Sequence, residues 1–262
     1  MVKRLEVLAV IPARGGSKSI PRKNERLFAG HPLLAYSIAA GAQAESVTRV
    51  IVSTDDPVIA DAARHYGAEV PFLRPTQLAQ DGTPDLPVFE HLLEELGQRE
   101  GYRPEVVVQL RPTSPLRPPG LVDRAVAFLL GTPEADSVRG VVPPGQNPYK
   151  MWRIAADGSL QPLLDDVPGA FNLPRQSLPP TYWQTGHIDA IRRRTIVERH
   201  SMSGDRIWPL HIDARYTDDI DTLQDWDRAE RLAMQADFPL VRPSGRDGEQ
   251  AVDPRHELHD HR

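Results

Sequence analysis

The chain has 262 residues, with 31 Lys and Arg against 36 Asp and Glu, for a formal charge of −5. At roughly 100–200 residues per domain this length allows one large domain, or a domain with a lobe, and the lack of a basic excess argues against a nucleic-acid or anionic-membrane partner. No cysteine is present, which removes disulfides, thiolate zinc sites and thiolate catalysis together, and fits a reducing compartment; the cytoplasm is the expected location. No segment approaches the ~18–20 consecutive apolar residues of a membrane-spanning helix.

In chain order, Leu5–Ile11 reads as a first strand that runs into a basic loop, followed by a helix over Leu33–Ala44. Strands then follow at Val47–Ser53, Val106–Leu110 and Ser137–Val142, with amphipathic helices at Val58–Tyr66, Pro84–Arg99 and Leu121–Leu130. Such alternation predicts an α/β fold: a mainly parallel sheet covered by helices on both faces. From 143 to 185 prolines break the rhythm and five aromatics gather in little chain, which predicts an inserted lobe. A strand at Gly186–Ile191, a strand at Ile207–Ile212 and a helix at Thr222–Ala236 complete the parent domain, so that 1–142 and 186–238 form one unit. Residues 239–262, with His256, His259 and His261, read as a loose polar tail.

In parallel sheets ligands sit beyond the carboxyl ends of strands, so the loops there are the places to look for chemistry. The first, Pro12-Ala13-Arg14-Gly15-Gly16-Ser17-Lys18-Ser19-Ile20-Pro21-Arg22-Lys23-Asn24, holds four cations and no acid. Flexible glycines and clustered cations suit a polyphosphate, although neither a Walker loop nor a Gly-x-Gly-x-x-Gly pattern is present. Ser53-Thr54-Asp55-Asp56 is suited to cap the next helix. Arg74-Pro75 with Leu78-Ala79-Gln80-Asp81 is a Pro-punctuated polar loop, either a ligand contact or a connector. The stretch Gln109-Leu110-Arg111-Pro112-Thr113-Ser114-Pro115-Leu116-Arg117 is a rigid polar loop able to read a base or sugar edge. Asp218-Asp219-Ile220-Asp221-Thr222 crowds three carboxylates ahead of a helix. One of them or Thr222 caps it, while two at i and i+2 in an extended loop point the same way and can share Mg²⁺.

Taken together and in order, these motifs, with Arg175-Gln176, resemble those of the CMP-N-acylneuraminate cytidylyltransferases, or CMP-sialic acid synthetases, across about residues 5–236. The resemblance implies a Rossmann-like sheet with a protruding dimerisation lobe at 143–185, a homodimer, and Mg²⁺-dependent transfer of CMP from CTP to the anomeric hydroxyl of a nonulosonic acid. It further implies that Arg14, Gly15, Ser17, Lys23, Asn24 and Arg74 contact CTP. Gln109, Lys150, Arg175 and Gln176 would face the sugar acid, the cations meeting its carboxylate, and Asp219 with Asp221 would bind the metal. Arg14, Lys23 and both aspartates would carry the catalysis. The chain departs from the family pattern at Thr185, where the family has Asn, and at Ser19, where it often has Gly. Trp183 and His187 also change size and polarity beside the expected sugar pocket. Two other readings stay open: transfer to a different sugar acid or sugar phosphate on the same fold, and a nucleotide-binding protein without turnover.

Overall fold

The computed structural model describes residues 5–244. Its strands are β1 (Val7–Pro12), β2 (Leu27–Phe28), β3 (His31–Pro32), β4 (Arg49–Ser53), β5 (Val106–Gln109), β6 (Ser137–Val142), β7 (Trp152–Ile154), β8 (Leu160–Pro162), β9 (Trp183–Arg192) and β10 (Ile207–His211). The helices are α1 (Leu33–Ala42), α2 (Pro57–His65), α3 (Asp85–Glu100), α4 (Leu121–Gly131), α5 (Arg193–Val197) and α6 (Leu223–Ala233).

Six strands form one sheet in the order β10-β6-β9-β5-β1-β4. β1, buried along nearly its whole length, lies between β4 and β5 and pairs with both in parallel. Its alternate residues feed opposite faces. Val7, Ala9 and Ile11 pack with Leu34 of α1, Ile59 of α2, Val126 of α4 and Trp226 of α6. Leu8 and Val10 pack with Phe89 and Leu92 of α3 and Ile196 of α5. Such two-sided cover is why the strand is apolar throughout instead of alternating. The chain leaves β1 toward β4 on one side and returns to β5 on the other, so the carboxyl end of β1 lies at a crevice between oppositely directed crossovers.

One strand of this sheet runs against the rest: β9 pairs antiparallel with both β5 and β6. Its beginning, Trp183 to Gly186, therefore lies at the carboxyl edge of its neighbours. Between β6 and β9 the chain forms a separate small unit, with the β7–β8 hairpin and an apolar cluster of Tyr149, Ala170 and Leu178 that is not continuous with the main core.

Residues 239–241, expected to open a loose tail, are packed instead. Leu240 and Val241 are buried, the Tyr216 hydroxyl donates to the Pro239 carbonyl at 2.7 Å, and the Val241 N–H donates to the Arg117 carbonyl at 3.0 Å. The three tail histidines lie outside the described residues.

Candidate active site

Two clefts of about 520 Å³ each open at the carboxyl edge of the sheet. The first is walled by the basic loop after β1, by the 74–85 segment and by the loop after β5. Arg14, Ser17, Lys18, Lys23, Asn24 and Arg74 all line it. The second is walled by Trp183 to Gly186 at the start of β9 and by Asp219. Arg111, Thr113 and Asp221 line both.

The basic loop is fastened at several points. Asn24 Nδ2 donates to the Arg14 carbonyl at 3.0 Å, and the Gly15 N–H donates to Asp55 Oδ1 at 3.1 Å, which ties the loop to the end of β4. Neither Gly15 nor Gly16 adopts a positive φ. Gly15 is needed for a different reason: a Cβ there would stand 2.6 Å from Asp56 Oδ2, the side chain that caps α2. It sits behind the cleft wall. Ser19 likewise has no positive φ, so a serine is unstrained there, whereas Arg22 does, at φ 53°. Arg14 and Lys18 both pair with Asp81 across the cleft mouth.

Lys23 joins the basic loop to the carboxylate loop. Only 8% exposed, it donates from Nζ to the Ile220 carbonyl at 2.9 Å. The Ile220 N–H in turn donates to the Thr113 carbonyl at 2.7 Å, and its side chain is buried. With the middle residue clamped at both ends and pointing inward, strand-like alternation turns Asp219 and Asp221 together toward the second cleft. Burial lowers the Lys23 pKa, and Arg14 adds to this, while Asp221 and Asp219 oppose it.

The rest of the acidic cluster is structural. Asp218 pairs with Arg228 at 2.6 Å. Thr222 caps α6, and a reciprocal bond to Asp225 completes a capping box. Asp219 and Asp221 are left for the cleft, with Asp219 Oδ1 accepting from the Ser114 hydroxyl. Among the described residues no three His, Asp or Glu side chains form a protein-only metal cage. Two carboxylates are nonetheless a fitting donor set for Mg²⁺, which commonly takes one or two from the protein and the rest from water and phosphate.

Arg74 is 7% exposed, yet its Nε and Nη2 have no hydrogen-bond partner, and the nearest carboxylate contact, Asp55, is 3.9 Å away. Burial lowers its pKa, with Arg14 acting in the same direction. A buried guanidinium with unmet donors in a cleft wall is costly until a ligand satisfies it.

The residues expected to face a sugar acid are not brought together. Gln109 is fully buried at the end of β5; its Nε2 donates to Asp85 Oδ2 at 2.8 Å and it lines neither cleft. The strand directs it inward, and the half-buried Arg111, two residues on, takes the place at the clefts. Lys150, Arg175 and Gln176 are exposed on the lobe, outside the walls of both clefts in this chain. Lys150 Nζ donates to the Phe171 carbonyl at 3.2 Å and Arg175 Nη2 to that of Pro144 at 2.9 Å. His187 is buried with both ring nitrogens lacking a hydrogen bond of good geometry, and burial beside Arg117 pushes its pKa down to about 3, so it is neutral packing beneath the cleft.

Residues 8–150 match the model of the cytidylyltransferase family. This chain belongs to that family. The cytidylyltransferase is 36% identical over 231 residues to a protein of Legionella pneumophila named CMP-N,N′-diacetyllegionaminic acid synthase, covering 87% of this chain and 96% of that one. Over 109 residues it is 40% identical to a pseudaminic acid cytidylyltransferase of Campylobacter jejuni, covering 42% and 47% of the two chains. Its fold is similar to a solved CMP:2-keto-3-deoxy-manno-octonic acid synthetase complexed with CTP, with a TM-score of 0.64 at 17% identity over 87% of this chain and 98% of that one. The cytidylyltransferase is thus an enzyme of the nucleotidyltransferase type. Among its described residues no helix is long and apolar enough to cross a membrane.

Proposed function

We propose that the enzyme transfers CMP from CTP to the anomeric hydroxyl of a nonulosonic, sialic-acid-like sugar acid, releases pyrophosphate, and requires Mg²⁺. The observation that carries this reading is the pair of clefts meeting at Arg111, Thr113 and Asp221. Arg14, Lys18, Lys23 and Arg74 give the first the charge to hold a triphosphate. The second, with two carboxylates and an aromatic wall, suits a polyhydroxylated acceptor, and relatives along most or part of the chain bear the names of legionaminic and pseudaminic acid enzymes.

In the reaction the anomeric hydroxyl gives up its proton to solvent as its oxygen bonds to the α-phosphorus and the α–β phosphoanhydride bond breaks, so negative charge builds on the transferred and departing phosphates. Arg14 and Lys23 offset that charge from the first cleft, and Arg74 anchors the nucleotide. Asp219 and Asp221 would hold Mg²⁺, with Ser114 fixing the orientation of Asp219. When bound, the ion supplies further charge neutralisation at the phosphates. The lobe serves as the dimerisation surface, and Lys150, Arg175 and Gln176 reach an acceptor only across that subunit boundary.

The test is incubation with CTP, Mg²⁺ and a panel of 2-keto-3-deoxy acids, with the product identified by mass. The panel contains N,N′-diacetyllegionaminic, N-acetylneuraminic and 2-keto-3-deoxy-manno-octonic acids. A CMP-nonulosonate formed with one pyrophosphate per turnover is expected. CMP-octonate alone, or no pyrophosphate with any acid, overturns the reading.

A further inference from the structure

We infer that Arg111 is the residue that reads the acceptor's carboxylate, and so makes the enzyme select sugar acids over neutral sugars. This rests on the proposed acceptor class and names the side chain that enforces it. In a 2-keto-3-deoxy acid the carboxylate and the anomeric hydroxyl are bonded to the same carbon. Wherever that hydroxyl meets the α-phosphorus, the carboxylate is a bond or two away. The meeting point is where the two clefts join, and of the side chains there only Arg111 is a cation. Arg111 is also the only Lys or Arg in the wall of the second cleft among the described residues.

The guanidinium is held ready. Nη2 donates to Asp85 Oδ2 at 2.8 Å and Nη1 to Asp189 Oδ2 at 3.0 Å, two of five N–H groups, and the side chain remains 25% exposed. Asp189 is itself shared with Arg139, whose Nε donates to Oδ1 at 2.6 Å, and Asp85 is shared with Gln109. The charge of Asp189 is therefore divided between two guanidinium groups, while Asp85 gives part of its accepting capacity to a neutral amide. Fixed at two corners, the guanidinium plane loses little freedom when a third carboxylate docks on its remaining donors. The nucleotide cleft already has four other cations, whereas among the described residues of this chain the acceptor cleft has no second one.

The experiment measures steady-state kinetics with saturating CTP and Mg²⁺ for wild type, Arg111→Lys and Arg111→Gln. The acceptors are N,N′-diacetyllegionaminic and N-acetylneuraminic acids, each as the free acid and as the C1 carboxamide, which keeps the ring and the anomeric hydroxyl. Wild type is expected to favour acid over carboxamide by about ten- to a hundredfold in kcat/KM, the range of one charge-assisted contact. In Arg111→Gln the acceptor KM rises at least about tenfold, the KM for CTP stays within about twofold, and the preference collapses. Arg111→Lys keeps part of it, because a point charge lacks the planar fork. Equal use of acid and carboxamide by wild type overturns the inference without any variant, so an unfolded Arg111→Gln cannot shield it. Unchanged discrimination in a folded Arg111→Gln overturns it too, as does a loss confined to the KM for CTP, which would assign Arg111 to the triphosphate. No product from wild type with either acid overturns the transferase reading and this inference with it, and is recognised before any variant is made.

Discussion

Ile220 decides the geometry of the carboxylate pair, because its buried side chain and its two backbone bonds leave Asp219 and Asp221 one orientation. Asp219→Asn and Asp221→Asn should each lower kcat at least about a hundredfold in a pyrophosphate-release assay. Melting temperature without Mg²⁺ should change little, since the repulsion removed is offset by the lost attraction to the buried Lys23. Full activity in the double variant would return the pair to a role in the turn before α6. Gly186 sets the other side of the same group: a Cβ there would stand 2.3 Å from Ser114 Oγ and 3.4 Å from Asp219 Oδ1. Gly186→Ala should therefore displace the Ser114 hydroxyl, cost about 1–3 kcal/mol by denaturation, and cut turnover. Adding Ser114→Ala makes room and should restore most of the stability but not the activity; no recovery would place the clash elsewhere. At this scale the sequence marked the loops but not which of their side chains turn outward. Gln109 and Arg111 differ by two residues, and only the end of β5 against Asp85 and Asp189 determines that the first is buried and the second faces the clefts.

At the scale of elements, Asp136 joins β6 to the turn that leads into β10. It is buried and accepts the N–H groups of Asp205 and Arg206, each at 3.1 Å, together with Arg199 Nη1 at 2.7 Å. Gly204 allows this with φ +69° and with no room for a Cβ, which would stand 2.4 Å from the Asp136 Cβ. Burial works to raise the Asp136 pKa, but those backbone donors and Arg199 outweigh it, and the net shift is downward. A carboxylate with a lowered folded pKa stabilises fully above its unfolded value, near 3.9, and loses that contribution as pH falls through the folded value. Asp136→Asn should thus cost about 1–3 kcal/mol at pH 7, and the gap to wild type should narrow below about pH 4 in urea melts. An equal gap at both pH values would mean that packing, not charge, holds the turn. The alternation of helices and strands was legible because burial on two faces forces apolar strands between amphipathic helices. The reversal of β9 was not, since hydrophobic pattern carries no direction. That reversal is what places Trp183 to Gly186 at the clefts.

For the whole molecule the decisive question is what covers the lobe. Its own cluster of Tyr149, Ala170 and Leu178 is small, and the β7–β8 hairpin displays Trp152, Ile154 and Leu160, with Ile154 77% and Leu160 61% exposed. Tyr182, at the lobe's return to the sheet, is also exposed, with its ring against His211 of β10. Exposed apolar side chains paired on one hairpin suit an association site, and a stable one buries about 800 Å² on each partner. A second copy is the occupant the proposed function requires, because Lys150, Arg175 and Gln176 lie outside the walls of this chain's own clefts. Light scattering at micromolar concentration should give twice the chain mass. An Ile154→Asp, Leu160→Asp double variant should give the single mass with a near-native melting transition, since both side chains lie outside the main core. It should also lose most acceptor turnover while still binding CTP, since the cleft proposed for the nucleotide is built within one chain. A monomeric wild type, or a monomeric variant that keeps full turnover, would detach the lobe from the chemistry and leave Arg111 as the only cation the acceptor meets.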